Sequence, residues 1–228
     1  MPKTMPEPLE KEEMDSLLLS ASNNLYYNTL FQLAKNTGRR LGEFYGVEIK
    51  EKIGEKVVGR KKVYSQEGNQ IEVDKKRNIM KYSGKFEYGL KVKDIVFQND
   101  GTAIMRTWVL KRRNYIQDES QLDKDLTRLV DSYIKKSKLK SEDYLFRTKT
   151  YRAIQNAVTQ YGKKAGIKKK VTFHSFRHYF ITHLLKKGWT YPQVAKMTGH
   201  KTVASIGSYD HVLSSDLKDK LKKDMEGS

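Results

Sequence analysis

Two apolar runs, Val92–Phe97 and Ala103–Leu110, are separated by Gln98, Asn99, Asp100 and Gly101. An Asn-Asp-Gly turn between strand-like runs supplies the positive φ that a tight hairpin needs, so this stretch predicts a β-hairpin. A third strand around Tyr115 and Ile116 would complete a small antiparallel sheet. On both sides the apolar residues recur at three- and four-residue spacing, the period of a helix with one buried face. The fold class that follows is α+β, mainly α-helical, with a small antiparallel β-sheet.

The helical stretches can be read one by one. From Glu10 to about Ala34, Met14, Leu17, Leu18, Leu25, Tyr26, Leu30 and Leu33 give two helices interrupted at Ser22, Asn23 and Asn24. A glycine turn at Gly38 starts a new helix. After the sheet, Leu122, Leu126, Leu129, Val130, Tyr133 and Ile134 form one stripe, and Tyr151, Ile154, Val158 and Tyr161 another. A further helix starts with Thr172 as cap and ends before Gly188. Shorter helices fit Pro192–Thr198, stopped by Gly199, and Thr202 to about Val212. Leu213, Leu217, Leu221 and Met225 then recur every four residues, a stripe that can cap the chain's own core or lie on a partner.

One segment departs from both patterns. Residues 50–89 mix Lys, Arg, Glu and Gly with scattered Val57, Val58, Val63, Tyr64, Ile71 and Val73, and read as an insertion of short exposed strands or an arm. Pro2, Pro6 and Pro8 make residues 1–9 an extended lead-in. The remainder is expected to be a single domain.

A formal net charge of +18 over 228 residues, with a pI near 9.7, is the footprint of a protein that meets a polyanion. Nucleic acid is the leading partner. An anionic membrane surface can exploit the same charge, but no run of eighteen apolar residues, signal peptide or lipidation motif supports that reading. The chain is therefore expected to be soluble and cytoplasmic, nucleoid-associated when on DNA. The lack of cysteine removes disulfides, a thiol nucleophile and cysteine-based zinc sites.

All five histidines fall between positions 174 and 211. On a helix, His174 and Arg177 share a face and can present an imidazole and a guanidinium to one phosphate. His200 follows the turn at Gly199, and Tyr209 offers a hydroxyl nearby. Taken singly these residues have ordinary readings: Tyr209 is one of fourteen tyrosines, and His174 with His178 is an i, i+4 pair. A zinc protease would need Glu at position 175, where this chain has Ser175. His178, His183 and His211 read as structural or phosphate-facing.

Taken together, the run His174-Ser175-Phe176-Arg177-His178, then Thr198-Gly199-His200, then Tyr209-Asp210-His211-Val212 resembles the C-terminal signature of the tyrosine recombinases, the family of phage-type integrases. Upstream, Thr37-Gly38-Arg39-Arg40-Leu41-Gly42-Glu43 resembles its first arginine box, with Arg40 as catalytic arginine and Glu43 supporting it. Arg39 is the alternative in a shifted register; the Gly-Arg-Arg-Leu-Gly-Glu order favours Arg40. The resemblance implies Lys111 as general acid, His174 assisting proton transfer at the nucleophile, Arg40 and Arg177 clamping the phosphate oxygens, and His200 bonding the phosphate. It implies Tyr209 as nucleophile, forming a 3′-phosphotyrosyl link that conserves the phosphodiester energy without metal or cofactor. Arg39, Arg112 and Arg113 are expected to contact DNA. A homo-oligomer on DNA, a tetramer, is implied as well. The family's helical N-terminal DNA-clamping domain has no room before Arg40 and is expected to be absent.

Overall fold

The computed structural model describes residues 7–64, 70–109, 116–200, 202–207 and 209. They divide into two compact units. One contains residues up to Gly46 and from Tyr88 onward; the other is Val47–Glu87.

The first unit opens with α1 (Lys11–Ala21) and α2 (Leu25–Thr37). In α1, Met14, Leu17, Leu18 and Ala21 are buried, the i, i+3, i+4, i+7 stripe that the sequence dictates. Asn24 separates the helices because its side chain accepts from the Tyr27 N–H at 3.1 Å, satisfying a donor that the first turn of α2 leaves open. α2 ends at Gly38, whose φ of 62° is left-handed and whose N–H donates to the Ala34 carbonyl. The chain then enters the short α3 (Leu41–Tyr45).

Gly38 is required twice over. A Cβ there would lie 2.4 Å from Phe180 Cδ1, and the positive φ would strain any L side chain. Gly38→Ala is accordingly expected to cost roughly 2–4 kcal/mol, the sum of left-handed strain and overpacking. In thermal unfolding this would lower Tm by roughly 5–15 °C. An unchanged Tm would contradict so tight a packing of α2 against Phe180.

The second unit is a long antiparallel hairpin, β1 (Val47–Tyr64) with β2 (Gln70–Glu87), paired from Val47↔Glu87 to Tyr64↔Gln70 with three register shifts. Its described side chains are mostly exposed, including Ile53 and Val57. The expected insertion is thus two continuous strands of 18 residues each rather than short ones. They lack the alternating apolar signal because no buried face demands one.

After Glu87 the first unit resumes. A three-stranded sheet has the order β3 (Ile95–Phe97), β4 (Ala103–Val109), β5 (Ile116–Leu122), all antiparallel. The β3–β4 turn is the expected one, with Gly101 at φ 84° and the Asp100 side chain accepting from the N–H and hydroxyl of Thr102. On β4, Ala103, Met105, Thr107 and Val109 face inward, alternating with Ile104, Arg106 and Trp108. Leu122 is a correction. It ends β5 instead of beginning a helix, because Asp123 caps α4 (Lys124–Lys136) by accepting from the Leu126 N–H at 2.8 Å.

The remaining helices are α5 (Tyr151–Lys164), α6 (Phe173–Lys186), α7 (Tyr191–Met197) and α8 (Ala204–Gly207). Of the helix expected from Thr202 to about Val212, α8 is the described part. The stripe from Leu213 to Met225 lies outside the described residues. Ten of the fourteen residues of α6 are buried, which makes it the central helix of the unit. One side of it meets α2, where the Phe31 and Phe176 rings lie 5.0 Å apart. On the other side, Phe180, Ile181, Leu184 and Leu185 pack with Val194, Ala195, Ile206 and Tyr209. Burying each such aliphatic side chain contributes about 1.5–3 kcal/mol. Among the described residues, no helix is long and apolar enough to cross a membrane.

Candidate active site

The site forms where α6 passes the ends of α2 and α7. Arg177, 4% exposed, sends Nη1 to the Gly38 carbonyl at 2.8 Å and Nη2 to the Thr198 carbonyl at 2.6 Å. Both acceptors stand at helix C-termini, where carbonyls lack intrahelical partners and the helix dipole is negative. These carbonyls offset part of the cost of burying a cation. Burial, and then the charge of Arg40, still lower the Arg177 pKa to about 10. It remains charged at neutral pH.

Arg40 sits at the N-cap of α3. The Glu43 carboxylate, 1% exposed, accepts from the Arg40 backbone N–H at 2.8 Å and from its Nη1 at 3.2 Å. The carboxylate fixes both the turn and the guanidinium. The Arg40 and Arg177 guanidinium groups are close enough to influence one another, and the Glu43 carboxylate balances one of the two charges, leaving net positive charge for an anion.

His200 follows the left-handed Gly199 (φ 64°) and lies against Arg177, with both ring nitrogens 3.3 Å from Nη2. The Thr198 hydroxyl donates to the Val194 carbonyl at 2.6 Å, so it is an acceptor toward His200 Nδ1, also at 2.6 Å. That arrangement puts a proton on Nδ1 and leaves Nε2 to accept from Arg177 Nη2. His174 is exposed on the first turn of α6, one turn before Arg177.

Tyr209 is 5% exposed and packs in the α6–α8 cluster with Ile206. Its hydroxyl lies 2.5 Å from His178 Nδ1. Burial pushes the phenol up to about 12, against the pull of Arg177 and Arg40. The same burial, then His174 and Arg177, hold the His178 imidazole down at about 4. At neutral pH a neutral phenol therefore donates to a neutral imidazole.

The structure brings Arg40, Glu43, Arg177, His200 and Tyr209 into one region, with His174 on its rim. Lys111, Arg112 and Arg113 lie outside the described residues. Arg39 is a correction to the expected DNA contact. It is 1% exposed and turned onto β5, where Nη1 bonds Asp118 at 2.9 Å and Nε and Nη2 bond the Ser120 hydroxyl. Its guanidinium ties α2 to the sheet and is withdrawn from solvent, which also separates it from Arg40. His178 is the site residue that sequence reasoning did not single out. The signal was present only as a second imidazole flanking Arg177, and nothing local says which imidazole meets the tyrosine.

Over 220 residues the chain is 26% identical to tyrosine recombinase XerD of Staphylococcus haemolyticus, covering 95% of this chain and 61% of that protein. Over 105 residues it is 31% identical to a tyrosine recombinase of Pseudothermotoga lettingae, covering 45% of this chain and 37% of that one. The chain therefore spans less than two thirds of the length of either relative. Among solved structures, XerA recombinase superposes with a TM-score of 0.63 at 21% identity, covering 96% of this chain and 65% of that one. XerH bound to a palindromic difH substrate superposes with a TM-score of 0.64 at 18% identity, covering 95% and 52%. The fold is that of a tyrosine recombinase catalytic domain. Residues 88–215, more than half of the chain and the stretch holding α6, His200 and Tyr209, match the phage integrase family, and the chain belongs to that family.

Proposed function

We propose that this chain cleaves and rejoins duplex DNA through a 3′-phosphotyrosyl intermediate at Tyr209, as the catalytic part of a site-specific recombinase. The observation that carries this reading is the convergence of Arg177, Arg40 and His200 beside the buried Tyr209 hydroxyl. A phosphodiester repels nucleophiles, and its pentacoordinate transition state carries extra negative charge; two oriented guanidinium groups in a partly desolvated site stabilise that charge. A guanidinium carries more N–H donors than the Gly38 and Thr198 carbonyls consume, so Arg177 can hold its place and still bond a phosphate oxygen. His174 and His200 add donors at the rim. Lys111 is the proposed acid for the leaving 5′ oxygen. The relatives' names, tyrosine recombinase, support the same chemistry.

Duplex DNA is the proposed partner, engaged as a homo-oligomer. The β1–β2 hairpin offers further phosphate contacts. Lys56 and Arg77 stand directly opposite one another in it, a like-charge pair that costs stability until an anion comes between them.

The test is incubation with nicked suicide DNA substrates, followed by denaturation and peptide mapping. A denaturation-resistant adduct carried on the Tyr209 peptide is expected. Salt-sensitive binding with no adduct on any substrate would reduce the chain to a non-cutting DNA-binding module. Relaxation of supercoiled plasmid without exchange between two sites would make it topoisomerase-like.

A further inference from the structure

This chain has five imidazoles, and among the described residues that of His178 meets the Tyr209 hydroxyl, Nδ1 to oxygen at 2.5 Å. The two rings lie 5.6 Å apart and are tilted by 44°, so the contact runs through Nδ1 and the hydroxyl oxygen rather than through stacked faces. Both side chains come from packed elements. His178 follows Arg177 in the middle of α6, and Tyr209 belongs to the buried apolar cluster that includes Phe180 and Ile206. A hydrogen bond of 2.5 Å between groups so held is a fixed path for a proton.

We propose that His178 is the residue that takes the proton of Tyr209 as the tyrosine attacks phosphorus, an inference that rests on the strand-cleavage reading above. In the forward step the Tyr209 O–H bond breaks and an Nδ1–H bond forms on His178. The same oxygen bonds to phosphorus, and the P–O5′ bond breaks, with the leaving oxygen protonated by a separate acid. In the reverse step the His178 imidazolium returns the proton to Tyr209 as the 5′ hydroxyl attacks. This reassigns to His178 the proton transfer that the family resemblance gave to His174.

Burial above all keeps the proton on oxygen until DNA arrives: it raises the phenol and lowers the imidazole, His174 and Arg177 lower the imidazole further, and only Arg177 and Arg40 pull the phenol the other way. Arg177 and His174 face His178, and Arg177 and Arg40 face Tyr209. With the imidazole near 4 and the phenol near 12, transfer in the empty site is strongly uphill. A phosphodiester between Arg40 and Arg177 offsets the cationic field that disfavours imidazolium. Bond formation to phosphorus withdraws electrons from the tyrosine oxygen, so the proton leaves as the attack proceeds.

His178→Asn separates holding from proton transfer, because its amide oxygen can accept the Tyr209 hydrogen bond but takes up no proton near neutral pH. The expected result is suicide-substrate cleavage slowed by about 10²-fold or more, with DNA affinity unchanged. Fluorinated tyrosine at position 209, a more acidic phenol, should recover most of that loss. Cleavage by His178→Asn at the unaltered rate would overturn the proposal, as would a loss that fluorination leaves untouched. Should His178→Asn fail to fold, the fluorinated series in the unaltered chain decides: a nearly flat rate supports base assistance, and a rate rising steeply with phenol acidity overturns it. Absence of any adduct from the unaltered chain would sink the strand-cleavage reading itself, which a normal adduct from His178→Asn would not.

Discussion

Tyr209→Phe is expected to abolish the covalent DNA adduct while leaving DNA affinity within about twofold, since the lost hydroxyl is the nucleophile and contributes no charge to binding. The variant is a clean one. The ring keeps its place against Phe180 and Ile206, so the cluster stays filled. What is lost in the fold is the partner of His178 Nδ1, and a half-buried acceptor left unbonded costs about 1–3 kcal/mol. Circular dichroism and binding at fixed salt therefore serve as controls for the adduct gel. An adduct persisting in Tyr209→Phe would move the nucleophile to another of the fourteen tyrosines and undo the assignment.

Arg177→Lys is expected to slow cleavage by about 10³-fold or more, although the charge is kept. One ammonium cannot bond the Gly38 carbonyl, the Thr198 carbonyl and a phosphate oxygen at once, which the planar fork can. Loss of a single oriented donor to transition-state charge costs about 10²–10³ in rate, and here the orientation of the remaining donors goes with it. Stability should fall as well, by about 1–3 kcal/mol, because at least one helix-end carbonyl loses its partner. Single-turnover cleavage together with thermal unfolding would report both effects. A variant that lost stability but cleaved normally would make Arg177 a brace between α2 and α7 and nothing more.

How far the chain could be read in advance follows from which forces act locally. The break at Ser22–Asn24, the Asp100–Gly101 turn and the Thr172 cap were legible because each is set by a side chain bonding its own neighbours. The stripe from Leu122 misled because four-residue spacing ran on across the strand-to-helix junction at Asp123. The long strands of the hairpin left little trace, since exposure on both faces removes the alternation that marks a strand. At the site, the grouping of Arg40, Glu43, Arg177, His200 and Tyr209 was expected from the family resemblance that their motifs carry. The inward turn of Arg39 onto Asp118 and Ser120 was not, because its partners lie about eighty positions away. The choice of His178 over His174 depends on how the chain after Gly199 returns to α6, a tertiary matter.

The root of the hairpin has a consequence for how this chain can be cut and rejoined. On either side of it, the Leu90 N–H donates to the Phe44 carbonyl at 2.9 Å, and Gly89 packs so closely on Tyr45 that a Cβ would lie 2.6 Å from its carbonyl oxygen. The two ends of the helical unit are therefore already sewn together at the point where the hairpin departs. Residues 47–87 form a cassette: excising them and bridging Gly46 to Tyr88 with a short turn keeps the Leu90–Phe44 hydrogen bond and the Gly89–Tyr45 packing, both made by residues outside the excised stretch. The same seam can accept other sequences in exchange.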